Sequence, residues 1–231
     1  MTVLNVAMFG SDELAKEIAK ATDQRDVHTY VHKESKEGIA KIISIIRPAR
    51  YPERLRPLLN AISAGRVGII EISAIDATLG EVLVAFASSS IEFGIAVVRP
   101  KDGDWVDQEM AEKMFAQAGL NKWKFMPPDG VDIRNHLYDL MDEIQDELAN
   151  SAASPLVVSI DQYFNVKGIG LVAIGYVQCG TLKVHDELHI LPSKGGGNTK
   201  SLQVMDDDVQ TAQSGDRVGI AIRGAKEDSL G

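Results

Sequence analysis

Gly10 and Lys16 stand six residues apart just past an apolar run, the spacing that the first glycine and the lysine keep in a phosphate-binding loop, Gly-x-x-x-x-Gly-Lys-Ser/Thr. Such a loop holds an anion with converging backbone amides and positive potential. Here the stretch reads Gly10-Ser11-Asp12-Glu13-Leu14-Ala15-Lys16-Glu17, so Ala15 replaces the second glycine and Glu17 the hydroxyl that would ligate Mg²⁺. Three carboxylates therefore crowd one lysine. At about 5 Å each repels a phosphate charge by about 3 kcal/mol at an effective dielectric of about 20, so Asp12, Glu13 and Glu17 together cancel Lys16 and the helix dipole. Ser11, Asp12 and Glu13 are also residues that cap a helix, and that plainer role is the favoured one.

Arg217 and Arg223 offer planar donor forks suited to a phosphate or a carboxylate, with surface pairing to Asp216, Glu227 or Asp228 as the plainer alternative. His28 and His32, like His185 and His189, are four apart, a chelating spacing only on a helix. Both pairs lie in strand-like sequence, where four residues span about 13 Å, and no metal site is expected. The single cysteine, Cys179, permits neither an internal disulfide nor a cysteine metal cluster. The net charge of −9 weighs against broad adhesion to nucleic acid, and no DNA partner is expected, while a local RNA site stays open. Up to Pro155 there are 17 basic against 24 acidic residues, and 7 against 9 after it, so attraction to phosphates is less opposed in the later part. No apolar stretch approaches the roughly 20 residues of a membrane span. Met1 to Phe9 is too short for a signal peptide and lacks its basic start. A cytoplasmic protein without a membrane partner is expected.

The elements that must hold these residues change character along the chain. From Met1 to about Ala149 short apolar runs alternate with amphipathic stretches, the pattern of an α/β domain with a mostly parallel sheet. Strands are predicted at Leu4 to Phe9, Val27 to Val31, Val67 to Ile72, Gly94 to Val98 and Lys124 to Met126. Helices are predicted at Asp12 to Ala21, Glu53 to Ser63, Leu79 to Ala87, Gln108 to Ala118 and Ile133 to Leu148. Asn150 to Pro155 is small, polar and ends in proline, which predicts a linker over 150–155. From Leu156 to Gly231 short β-rich runs separated by turn residues predict a small all-β barrel.

In that last part Asp161-Gln162-Tyr163-Phe164-Asn165-Val166-Lys167-Gly168-Ile169-Gly170-Leu171-Val172-Ala173-Ile174-Gly175, then Tyr176 to Val184, followed by Gly215-Asp216-Arg217-Val218-Gly219-Ile220 and Arg223-Gly224, resembles the second-domain β-barrel of elongation factor Tu and the selenocysteine-specific elongation factor. Two departures stand out. Ile169, Leu171 and Ala173 are apolar where the family often has Arg or Thr, and His185 stands where a Gly usually follows Lys-Val.

The resemblance implies that the preceding domain is a P-loop-GTPase-like parallel sheet, that the barrel helps hold the aminoacyl end of tRNA, and that the family chain continues past Gly231 into a closing strand and a third barrel. It makes Gly10, Lys16 and Asp102 the remnant of a nucleotide site, with the guanine-reading Asn-Lys-x-Asp appearing as Arg99-Pro100-Lys101-Asp102. It puts the metal-sensing Asp-x-x-Gly at Glu71-Ile72-Ser73-Ala74 and the water-orienting His at Ile75. No catalytic residue and no cofactor is then expected, the altered loop weighing against GTP and Mg²⁺. The expected function is that of a translation-factor relative with a non-hydrolysing GTPase-like domain, binding tRNA or a ribosome-associated component, with Arg217 and Arg223 as the RNA-binding candidates. The alternatives are a weak GTP-binding translation factor and a protein-interaction scaffold that regulates a true elongation factor.

Overall fold

The computed structural model describes residues 2–24, 27–36, 39–102, 104–204 and 207–230, and the chain divides into two compact units, Met1–Glu143 and Ile144–Gly231. The first runs β1 (Thr2–Phe9), α1 (Asp12–Ile18), β2 (Lys20–Gln24), β3 (Val27–Lys36), β4 (Ile39–Pro48), α2 (Leu55–Ala64), β5 (Val67–Ile72), α3 (Ala77–Ala87), β6 (Phe93–Val98), α4 (Gln108–Gln117), β7 (Trp123–Met126) and α5 (Gly130–Glu143). Its seven-stranded sheet has the order β2-β3-β4-β1-β5-β6-β7. From β4 to β7 neighbouring strands are parallel, and β3 is antiparallel to both β2 and β4.

Alternation along the parallel strands divides the core. Ala7, Ile70, Ile72 and Ala96 pack with Leu58 and Ile62 of α2, Leu79, Val82 and Phe86 of α3, and Phe115 of α4. Leu4, Val6, Met8, Ile69 and Ile95 alternate with them and are buried on the opposite side of the pleat. Helices α1 and α5 pack against each other, so closely that a Cβ at Gly130 would lie 2.6 Å from Glu17 backbone atoms.

Two strands fall outside the sequence reading. Ile39–Pro48 reads Ile-Ala-Lys-Ile-Ile-Ser-Ile-Ile-Arg-Pro, and Ile42, Ile43, Ile45 and Ile46 are all buried. A run apolar on both faces has no period that separates strand from helix. Strand β2 takes residues predicted to finish the first helix, because α1 stops at Ile18 and Ala19 turns extended. The long helix predicted over Ile133 to Leu148 is two helices, α5 and then α6 (Gln145–Ala152) after Ile144.

Helix α6 opens the second unit, so Asn150 to Ala152 are helical rather than linker. After it come β8 (Val157–Val166), β9 (Gly170–Cys179), β10 (Thr181–Lys183), β11 (Glu187–Ile190), β12 (Gly195–Val204), β13 (Asp207–Val209), β14 (Thr211–Gln213), β15 (Arg217–Arg223) and a 3-10 turn at Glu227–Ser229. An antiparallel sheet, β11-β12-β15-β9-β8 with β13 on β12, and a β10-β14 ladder curl around Ala173, Val177, Leu182, Leu202, Val218 and Ile220. Two glycines of the barrel motif are fixed by close backbone neighbours. A Cβ at Gly175 would lie 2.2 Å from the Ser159 carbonyl oxygen, where β8 and β9 shift register. Gly180, at φ 78, turns the chain against Leu156, 2.5 Å from where its Cβ would be.

Candidate functional site

Four parallel strands deliver polar or charged residues and the Gly10 turn to one end of the sheet, the carboxyl ends at which open α/β sheets form their sites. Gly10 and Ser11 follow β1, Arg47 is near the end of β4, Glu71 near the end of β5, and Arg99 follows β6. Arg99 is placed by its own amide, which donates to the Ile72 carbonyl of β5 at 3.0 Å.

Only Gly10 and Ser11 separate β1 from α1, where a phosphate loop of the spacing found at Gly10 and Lys16 would leave six residues outside the helix. Three of the amides that such a loop would aim at an anion have partners within the chain. Ser11 N–H donates to Glu71 Oε2. Leu14 N–H donates to the Ser11 hydroxyl at 3.2 Å, and Ala15 N–H to the Ser11 carbonyl at 3.3 Å. The helix is capped by Ser11, as the capping residues suggest. Gly10 serves the approach of Glu71, since a Cβ there would lie 2.9 Å from Glu71 Oε2.

Lys16 reaches this end of the helix through its side chain alone. It lies in the last turn of α1 and pairs with Asp12 one turn back. The Lys16 ammonium, and after it the Tyr30 hydroxyl that donates to Asp12, hold the Asp12 carboxyl below the usual carboxylate range. Burial, and then the bond to Asp12, pushes Tyr30 up to about 12. Arg99 Nη2 meets Glu17 Oε1 at 3.0 Å, and Arg99 Nε lies 3.8 Å from Glu71 Oε1. Arg134 of α5 closes the far end of α1, donating to the carbonyls of Ile18 at 2.6 Å and Glu17 at 2.8 Å. Asp102 is in an exposed turn that Asp104 N–H closes on the Lys101 carbonyl, and among the described residues no contact joins it to Gly10 or Lys16.

Strand β4 also moves the metal-sensing segment. With β4 in place as the third long strand after β1 and β3, the segment at its end is Arg47-Pro48-Ala49-Arg50, then Tyr51, and not Glu71 to Ile75. None of these residues is an aspartate, a glycine or a histidine. The Arg47 guanidinium donates from Nε to the Gly10 carbonyl at 2.8 Å and lies 3.3 Å from His28 Nδ1. Glu71 remains part of the site, as the carboxylate that touches the loop. Arg47 and Arg99, which the sequence reading missed, shared one signal: each directly follows a run of buried apolar strand residues.

In the second unit, Arg217 pairs with Asp161 at 3.4 Å, both side chains largely buried, and its guanidinium lies 5.6 Å from the Tyr176 ring centre. Asp216, named as a partner for Arg217, instead accepts from the Gln213 amide at 2.8 Å, and burial raises its carboxyl. Arg223 ends β15 opposite Asn198 and is exposed. Of the two arginines, it is the one offered to solvent. Among the described residues no group of three His, Cys, Asp or Glu side chains is placed to hold a metal ion, and no helix is long and apolar enough to cross a membrane.

Comparison with known proteins agrees with this arrangement. The family model of elongation factor Tu domain 2 matches residues 170–230. The uncharacterized protein MJ0325 of Methanocaldococcus jannaschii is 31% identical over 231 residues, which are all of this chain and 70% of that protein. The selenocysteine-specific elongation factor of the same organism is 35% identical over 99 residues, 43% of this chain and 21% of that one. Elongation factor 1-alpha of Sulfolobus acidocaldarius is 26% identical over 121 residues, 47% and 28% of the two chains. Among solved structures, a bacterial selenocysteine-specific elongation factor superposes with a TM-score of 0.72 at 20% identity, over 99% of this chain and 43% of that chain. The elongation factor SelB of Methanococcus maripaludis, solved with the GTP analogue GPPNHP, gives 0.71 at 22% identity, over 100% and 54%. The chain thus spans about half the length of the solved factors, and they share its fold. With MJ0325, this chain belongs to a family of elongation-factor-like proteins, homologous to SelB and elongation factor 1-alpha, in which a GTPase-like α/β unit precedes the domain 2 barrel of elongation factor Tu.

Proposed function

We propose that this chain is a translation-factor relative whose GTPase-like unit keeps its shape without nucleotide and does not hydrolyse GTP, and which acts by binding a translation component, tRNA first among them. The observation that carries the first half is the Glu71 carboxylate on the Ser11 amide, an anion of the protein's own where a phosphate would sit. An incoming phosphate meets that carboxylate, and the lysine that would draw it in is paired to Asp12 in the first turn of α1. Hydrolysis further needs a metal-linked carboxylate and a side chain that orients water, and Arg47 and Tyr51 supply neither.

Calorimetry with GTP, GDP and ATP, with and without Mg²⁺, tests this. No saturable heat is expected below a dissociation constant of about 1 mM, and a micromolar constant overturns the reading. The RNA half rests on the barrel's smaller net charge and on exposed Arg223. In filter binding with tRNA, Arg223→Ala is expected to weaken affinity and lower the salt slope by about 1; unchanged affinity and slope would remove Arg223 from the assignment.

A further inference from the structure

Helix α2 violates the usual chemistry of a helix start. Its N-cap, Arg54, makes no side-chain capping bond, and its first turn holds Arg56 and no acid. Arg50 lies one turn earlier, where the Arg54 amide donates to its carbonyl at 2.8 Å. Cations are unfavourable at the positive end of a helix dipole, so these three arginines weaken the helix that they introduce. All three are exposed, and among the described residues none of them has an ion pair. Glu53, also exposed, is the one acid in their midst.

Beside the arginines the same helix leaves apolar surface in water. Leu55 and Leu59, four apart on one side, are 56% and 49% exposed, while Leu58, Ala61 and Ile62 fill the core. A local departure from good helix design with no compensating contact in the fold is the mark of a functional surface.

We infer that the start of α2 is a docking surface for an acidic amphipathic segment of a partner protein. Its carboxylates engage Arg50, Arg54 and Arg56, and its apolar side chains cover Leu55 and Leu59. The choice of partner follows from the two halves of the patch. An RNA backbone satisfies the arginines but leaves both leucines in water. A helix with acids and apolar residues at i, i+3 and i+4 satisfies both, and supplies the negative charge that the helix start lacks. In a chain of net charge −9, a patch of this sign also steers an acidic partner to one place.

The test titrates the full chain, by fluorescence anisotropy, with a labelled helical peptide of about 20 residues that places Leu at i, i+4, i+7 and i+11 between Glu residues. A scrambled peptide of the same composition and an oligouridylate of matched charge run in parallel. The amphipathic peptide is expected to bind about tenfold more tightly than its scramble. The triple variant Arg50→Gln/Arg54→Gln/Arg56→Gln and the double variant Leu55→Ala/Leu59→Ala are each expected to weaken it about fivefold or more. Added salt should erode only the arginine part. The triple variant should melt at or above the wild-type temperature, since it removes cations from the positive end of a helix, and this separates lost binding from lost folding. Equal binding of amphipathic and scrambled peptides overturns the proposal. So does tighter binding of oligouridylate that the leucine variant leaves unchanged, which would assign the surface to nucleic acid.

Discussion

Replacing Glu71 by alanine removes a carboxylate that is 7% exposed and that accepts the Ser11 amide and faces Arg99. A hydrogen bond to a charged group contributes about 1.5–3 kcal/mol, and breaking one side of a buried ion pair costs about 3–5 kcal/mol. Arg99 keeps Glu17 as a second partner, so the lower end applies, about 3 kcal/mol. For a domain of this size 1 kcal/mol moves the midpoint by about 3 °C, so Glu71→Ala should melt about 10 °C lower. Glu71→Gln keeps an acceptor for Ser11 and should lose about half as much. Thermal unfolding followed by Trp123 emission reports on the first unit directly, because Trp123 is buried in its core. The same melt tests the self-filled site. A ligand at 100 times its dissociation constant stabilises by about 2.7 kcal/mol, so GDP bound with a dissociation constant of about 10 μM would raise the wild-type midpoint by about 8 °C at a concentration of about 1 mM. No rise is expected. A wild-type shift of that size, or a Glu71→Ala protein as stable as wild type, would refute the claim that Glu71 holds the place of the phosphate.

Three further expectations follow from particular residues. Exposed His185 has φ 78, a left-handed conformation that costs a non-glycine residue about 1 kcal/mol, so His185→Gly should stabilise the second unit by about that amount in urea unfolding; a loss would refute the strain. Tyr30 is held at about 12 in the folded chain against 10 unfolded, so its share of stability is complete below pH 10 and lost as pH rises from 10 to 12, on the order of 3 kcal/mol in all. Tyr51 and Tyr138 shift the same way, and tyrosinate absorbance should therefore lag until unfolding; all tyrosines titrating together near pH 10 would contradict this. Ala15→Gly with Glu17→Thr restores the letters of the phosphate loop but leaves Lys16 in the last turn of a helix that starts at Asp12, so single-turnover GTP cleavage should stay at background, also after adding Arg47→Asp, Arg50→Gly and Tyr51→His. Enzymatic cleavage by the loop variant alone would show that water is oriented by a residue outside this account.

Much of the architecture was legible because amphipathic helices and turn-bounded strands announce their period. Gln108 to Ala118 and Leu79 to Ala87 were predicted within two residues of α4 and α3 at each end. Strand β4 was not legible, since isoleucine at Ile42, Ile43, Ile45 and Ile46 serves both faces of a buried strand, and its loss displaced the metal-sensing segment by a whole strand. The departure at His185 was visible as a residue type in a glycine's place, but the torsion that makes it costly was not. At the candidate site Gly10, Ser11 and the acids of α1 were legible. Their partners were not, because Ser11 and Glu71 are 60 positions apart and Arg99 and Glu17 are 82 apart.

Those distant pairings change how the altered loop is understood. Substitution by substitution, Ala15 and Glu17 look like decay of a nucleotide site. In the folded chain, the end of the sheet instead carries three cations, Arg47, Arg99 and Lys16, and three carboxylates, Asp12, Glu17 and Glu71, joined to one another and to the loop. A nucleotide site is balanced by two outside ions, a phosphate and its metal; here a carboxylate sits on the loop amide and a guanidinium on the loop carbonyl. Removing Glu71, the most buried of these charges, leaves Arg99 short of one partner and the Ser11 amide without one, which costs more than the pair contributes. If the unit works without nucleotide, as proposed above, this network is what holds a GTPase-like fold together in the ligand's place, and nucleotide binding would require several changes at once.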